Sequence, residues 1–135
     1  MRNMLRNVSA VLFGAVLLSF LSCNKEPGPG GQASIQGKIK VDNYNALCVY
    51  VDSYYGPDEE VYIIYGDEPA SGDRVRTAPD GTYMFRFLRP GKYKVYCYSE
   101  ICNASTGPNV EAVIAEVEIT GKKQEIVVPD IIVRR

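Results

Sequence analysis

The side chains able to do chemistry in this sequence are cysteines, carboxylates and tyrosines, because none of its 135 residues is histidine. Without imidazole the chain lacks the commonest general base and metal ligand, and a Ser–His or Cys–His nucleophile cannot be assembled. The remaining thiols do not form a zinc set: Cys97 and Cys102 are separated by four residues, not by the two of a C-x-x-C pair. Asp58-Glu59-Glu60 and Asp67-Glu68 offer oxygen ligands, but they lack the regular acidic spacing of a calcium loop and read as solvated turns. No pair of acids is marked out to face each other across a cleft, as glycoside hydrolysis requires. The sequence therefore predicts no catalytic residue, no metal and no cofactor: the protein is expected not to be an enzyme.

Tyrosine is the positive signal, with ten copies and no tryptophan. Tyr96 and Tyr98 fall on the strand face opposite Tyr93, and Tyr62 and Tyr65 lie on another apolar run. Rigid amphipathic rings make good recognition surfaces, so Tyr96, Tyr98, Tyr62 and Tyr65 form the candidate binding face for a glycan or a peptide. The alternative is that they simply cover the fold and its loops. Fifteen basic and sixteen acidic residues leave no excess of positive charge, so no nucleic-acid partner is expected.

The elements that must position these residues are strands. Asp80-Gly81 is a turn signal, and after it Tyr83, Phe85 and Phe87 alternate with Thr82, Met84 and Arg86. Pro90-Gly91 turns the chain into Lys92–Cys97, with Tyr93, Val95 and Cys97 on one face. Further strands are predicted over 34–41, 46–54, 60–65, 74–77 and 110–120, with Leu47, Val49 and Val51 sharing a face of the second. A last run over 124–133 contains Pro129 and must bulge, lie at an edge or break in two. Val110–Ile119 has helix-favouring Ala and Glu, but its β-rich neighbourhood decides for strand. The expected class is all-β, a single sandwich of roughly seven to eight strands over 34–135.

At the amino terminus, Arg2 and Arg6 precede an uncharged run, Val8–Leu21, that is shorter than the roughly 20 residues of a spanning helix. The run ends in Ser22-Cys23. Residues 24–32 hold no apolar side chain and several Gly and Pro, a composition that reads as a flexible stalk.

Two resemblances follow from these residues. The series Asp80, Gly81, Tyr83, Phe85, Leu88, Pro90, Gly91, Tyr93 and Val95 resembles the carboxypeptidase regulatory-like domains, which implies a prealbumin-like (transthyretin-like) Greek-key β-sandwich. Enzymes that share that architecture need histidines, which this chain lacks. Collagen-adhesin B-type repeats crosslink a Lys to an Asn or Asp with a catalytic Glu, but the matching position here is Cys97. The segment ending at Cys23 resembles a bacterial lipoprotein processing box of the Bacteroidetes type. That implies a signal peptide over 1–22, a lipidated Cys23 with its stalk over 23–33, and a domain over 34–135 anchored to the outer membrane through its lipid. An envelope protein is then an alternative partner, through a docking role in a larger complex. Export also permits disulfides. Cys97–Cys102 is the first expectation, Cys48–Cys102 the alternative, and unbridged thiols packed as small hydrophobes remain open.

Overall fold

The computed structural model describes residues 26–102 and 109–135. The expected signal peptide, Cys23 and most of the loop 103–109 lie outside the described residues. Nine strands run in chain order: β1 (Pro29–Tyr44), β2 (Tyr50–Tyr55), β3 (Glu60–Tyr65), β4 (Asp73–Arg76), β5 (Thr82–Leu88), β6 (Gly91–Glu100), β7 (Val110–Ile119), β8 (Glu125–Val127) and β9 (Ile131–Arg134). Among the described residues there is no helix, so the segment 110–119 is a strand despite its Ala and Glu content.

The strands form two sheets. In the first, β1 is the central member, flanked by β2 and β5 in antiparallel pairing and by β8 and β9 in parallel pairing. The second has the order β4-β3-β6-β7, antiparallel throughout. Alternation places Ala33, Ile35, Ile39 and Val41 of β1 inward, against Val61 and Ile63 of β3 and Tyr93, Val95 and Cys97 of β6, all at most 1% exposed. The layers thus share one apolar interior, closed by Tyr83, Phe85 and Leu88 from β5 and Ile131 and Val133 from β9. Polar groups tie the layers where they meet. Ser99 Oγ on β6 accepts the Arg134 N–H of β9 at 2.9 Å, and the buried Thr77 hydroxyl donates to Gly56 O at 2.6 Å.

Both expected turns are present. Gly81 sits at φ 78°, with its N–H donating to Ala78 O, while Asp80 accepts from the Thr82 amide and hydroxyl. Gly91 follows Pro90 at φ 148° and opens β6. Pro129 breaks the last run into β8 and β9, one of the three outcomes that a proline inside a strand permits.

Three expectations need correction. The stretch read as a stalk, within 23–33, is structured from its middle onward. β1 begins at Pro29, Gly31 lies directly against the Leu88 carbonyl, and Gly28 N–H donates to the Tyr93 hydroxyl at 3.0 Å. Backbone pairing and lack of Cβ recruit this segment, neither of which hydropathy registers. The strand predicted over 46–54 starts only at Tyr50, because Asn45 organises a turn, its Oδ1 accepting the amides of Leu47 and Val49. Leu47, Val49 and Val51 are accordingly exposed rather than shared in a core face. Phe87, expected inward beside Tyr83 and Phe85, is 68% exposed with φ 59°. That left-handed residue shifts the alternation by one, and Leu88 takes the inward place.

Candidate functional site

The outer face of the second sheet carries side chains from alternate positions: Glu60, Tyr62 and Ile64 of β3, Lys94, Tyr96 and Tyr98 of β6, and Arg74 and Arg76 of β4. Tyr62 and Tyr96 are direct cross-strand partners. Their rings stack with centroids 5.1 Å apart and planes 14° from parallel. Tyr98, two residues along β6, stands edge-on to both, at 5.7 Å from Tyr62 and 5.5 Å from Tyr96. Such offset and edge contacts between quadrupoles contribute about 0.5–1.5 kcal/mol per pair, so the three rings hold one another in place.

A charged network fixes the rim. The Tyr62 hydroxyl donates to Glu60 Oε2 at 2.6 Å, while Glu60 Oε1 accepts from Arg76 at 3.0 Å and from Arg74 at 3.3 Å. Arg76 also reaches Asp58 at 2.8 Å. The Tyr62 hydrogen bond first, and the two guanidinium groups after it, hold the Glu60 carboxyl below its usual value; the same bond raises the Tyr62 phenol. Beside the rings lies a hollow of ≈ 260 Å³ whose lining includes Tyr62, Tyr98, Asp58, Glu59, Arg76 and Arg135. Arg135 is anchored there by the Glu59 carboxylate and by Tyr98 O, the latter at 2.8 Å. The arrangement offers flat apolar surface next to fixed donors and acceptors, which suits a ligand with both ring faces and hydroxyls. Among the described residues no group of three or more Cys, Asp or Glu side chains could hold a metal.

Of the four tyrosines predicted for this face, three come together and one does not. Tyr65 lies on β3 three residues from Tyr62, and strand alternation turns it to the inner side. There its ring meets Tyr93 edge-on at 6.0 Å, it packs against the core, and burial raises its phenol pKa. Gly72 leaves the space its ring fills, since a Cβ there would come within 2.1 Å of it.

The expected Cys97–Cys102 bridge is absent, and all three described thiols are free. β6 runs on to Glu100 and carries the chain roughly 10 Å from Cys97 before the turn that holds Cys102, whereas bridged Cα atoms lie within ~7 Å of each other. Cys97 also points into the sandwich at 1% exposure, where burial raises its thiol.

Sequence reasoning missed a second surface. Between β7 and the β8–β9 edge runs a groove of ≈ 640 Å³, lined by Val113, Ile114, Ala115 and by residues 126–132. Ile114, Val127 and Ile132 stand 50% or more exposed around it. Its trace in the sequence is the apolar run Val110, Ala112 and Ile114 on the solvent side of β7.

No known protein family matches the sequence, and no curated protein matches it. A solved structure from Pseudomonas aeruginosa, described as that of a candidate carbohydrate binding protein, is similar over 80% of this chain and 91% of its own. The sequence identity is 16% and the TM-score 0.47.

Proposed function

We propose that this chain is a non-catalytic recognition module for glycans, carried on the outer membrane by lipid on Cys23. The observation that carries the reading is the cluster of Tyr62, Tyr96 and Tyr98 on an open sheet face, bordered by the Glu60–Arg74–Arg76 network. Sugar rings present apolar C–H faces that stack on phenols, and their hydroxyls pair with carboxylates and guanidinium groups of the kind fixed at this rim. A prealbumin-like, carboxypeptidase regulatory-like sandwich is part of the same reading. Its support is connectivity: β5 lies beside β1 in one sheet while its sequence neighbours β4 and β6 lie in the other, so successive strands cross between layers as in Greek-key sandwiches.

The test is a glycan array and a peptide library probed with the full chain in detergent. A specific glycan hit weakened about ten-fold or more by Tyr96→Ala or Tyr98→Ala, and unmoved by Tyr65→Phe, supports the module; about ten-fold corresponds to 1.4 kcal/mol of contact. A peptide hit with the same dependence moves the ligand class and keeps the face. The mass of the mature amino terminus reads the lipid on Cys23 directly.

A second reading, an assembly subunit of an envelope complex, is favoured by the apolar groove along β7, whose outer edge is unpaired among the described residues. Silence on both arrays with one stoichiometric protein in an envelope pull-down would put this reading first.

A further inference from the structure

Two thiols that the sequence sets far apart meet at one end of the sandwich. Cys48 lies in the turn between β1 and β2, in the first sheet, and Cys102 follows β6, in the second. Both line one small hollow of ≈ 190 Å³ together with Tyr44, Glu100 and Arg134. Interaction with the Cys48 thiol is the first cause of the raised Cys102 thiol pKa. Both are partly exposed, unlike Cys97.

The backbone supplies an independent observation. Cys48 has φ 60°, a left-handed conformation that favours Gly or Asn and is uncommon for other side chains. The turn around it is well bonded: Cys48 N–H donates to Asn45 O at 2.8 Å, and Asn45 N–H to Val49 O at 3.0 Å. On the other side, Ile101 N–H donates to Asn109 O at 2.9 Å, which fixes the chain beside Cys102. A cysteine thus occupies a strained position on a turn, lining the same hollow as a second cysteine from the opposite layer.

We propose that Cys48 and Cys102 are a disulfide site that staples the two sheets together, with Cys97 left as the buried, unmodified thiol. Formation is thiol–disulfide exchange with a small-molecule or protein disulfide as oxidant. The first thiolate attacks one sulfur of the oxidant and expels a thiolate. The second protein thiolate then attacks the mixed disulfide and expels the other. Two protein thiols lose two electrons and two protons to form one S–S bond, and the oxidant is reduced to two thiols.

The test equilibrates the purified full chain with an equimolar mixture of oxidised and reduced glutathione, followed by acid quenching, alkylation and non-reducing peptide mapping. The expected result is a linked peptide pair containing Cys48 and Cys102, with bridged chain exceeding dithiol chain by about ten-fold or more, because the fold holds the thiols at high effective concentration. Cys97 is alkylated only after denaturation. Cys97→Ser leaves the linked pair intact, whereas Cys48→Ser and Cys102→Ser each abolish it. A map in which Cys97 is linked to either partner overturns the proposal, as does a folded wild-type chain with both Cys48 and Cys102 alkylated at that glutathione ratio. Circular dichroism of each variant establishes that it is folded before its map is read.

Discussion

Replacing Gly31 with alanine asks whether the Gly-rich segment ahead of the core is tether or structure. A Cβ at Gly31 would sit 1.8 Å from Leu88 O, 2.3 Å from Leu88 C and 2.6 Å from Arg89 N, all of them backbone atoms. Ordinary contact begins near 3.5 Å, so the two strands must separate locally by about 1.5 Å. The pairing of Pro29 and Ala33 with Leu88 cannot survive that separation. The Gly28 carbonyl would lose the Arg89 N–H, now at 2.9 Å, and the Gly28 N–H would lose the Tyr93 hydroxyl, now at 3.0 Å. Each such bond contributes about 1 kcal/mol net, and partial exposure of Ala33 adds to the loss. Gly31→Ala should therefore destabilise by about 2–4 kcal/mol, a fall in Tm of roughly 10–25 °C for a domain of this size. The assay is a pair of melts, thermal and in urea, with Gln32→Ala on the exposed neighbouring position as control. A Gly31→Ala chain within about 0.5 kcal/mol of wild type would refute the reasoning and return residues 29–32 to the role of a stalk.

Two further perturbations probe the interior and its rim. Tyr83 is 1% exposed and its hydroxyl has no hydrogen-bond partner among the described residues, so Tyr83→Phe should stabilise by about 1 kcal/mol in urea unfolding; a loss of that size instead would mean the hydroxyl is bonded. Burial also lifts the Tyr83 phenol above its ordinary 10.0, so above about pH 10 the unfolded chain ionises first and binds fewer protons. Stability then falls as pH rises, by about 1.4 kcal/mol per unit for this group, and Tyr83→Phe should flatten the alkaline limb by that amount. Arg135→Ala leaves the Glu59 carboxylate, whose side chain is 17% exposed, without its partner and should cost about 1–2 kcal/mol. Adding Glu59→Gln should recover part of that loss, and an additive double variant would show that the pair is not coupled.

The sandwich was legible because alternation and turn chemistry act locally: Asp80-Gly81, Pro90-Gly91 and the inward Tyr83, Phe85, Tyr93 and Val95 all sit where the pattern puts them. What escaped was decided by single backbone angles or by distant partners. Phe87 and Cys48 both adopt left-handed φ without being glycine, and each changes what its neighbours do. Tyr65 is different: it lies three residues from Tyr62 on one strand, so alternation alone, legible in the sequence, sends the two to opposite sides. The meeting of Tyr62 with Tyr96 and Tyr98 depends on β3 pairing with β6 across the whole of β4 and β5, which no local window contains. The same holds for Cys48 and Cys102.

One strand, β1, pairs with four others, two of which are the last in the chain. This makes the fold a late event in the life of the polypeptide. As the chain emerges, β1 comes first and finds β2 and β5 soon afterwards, yet its other edge stays bare until residues 125–134 arrive to lie parallel to it. Closing so long a loop is slow, and sandwiches built on distant pairings fold in milliseconds to seconds. Throughout that interval the unfinished chain presents an apolar strand edge to its neighbours, the condition under which chains pair with one another. The window for misassembly is therefore set by the time the last strand takes to arrive, and a carrier that shields β1 during that time would act on the yield of this protein without touching its final stability.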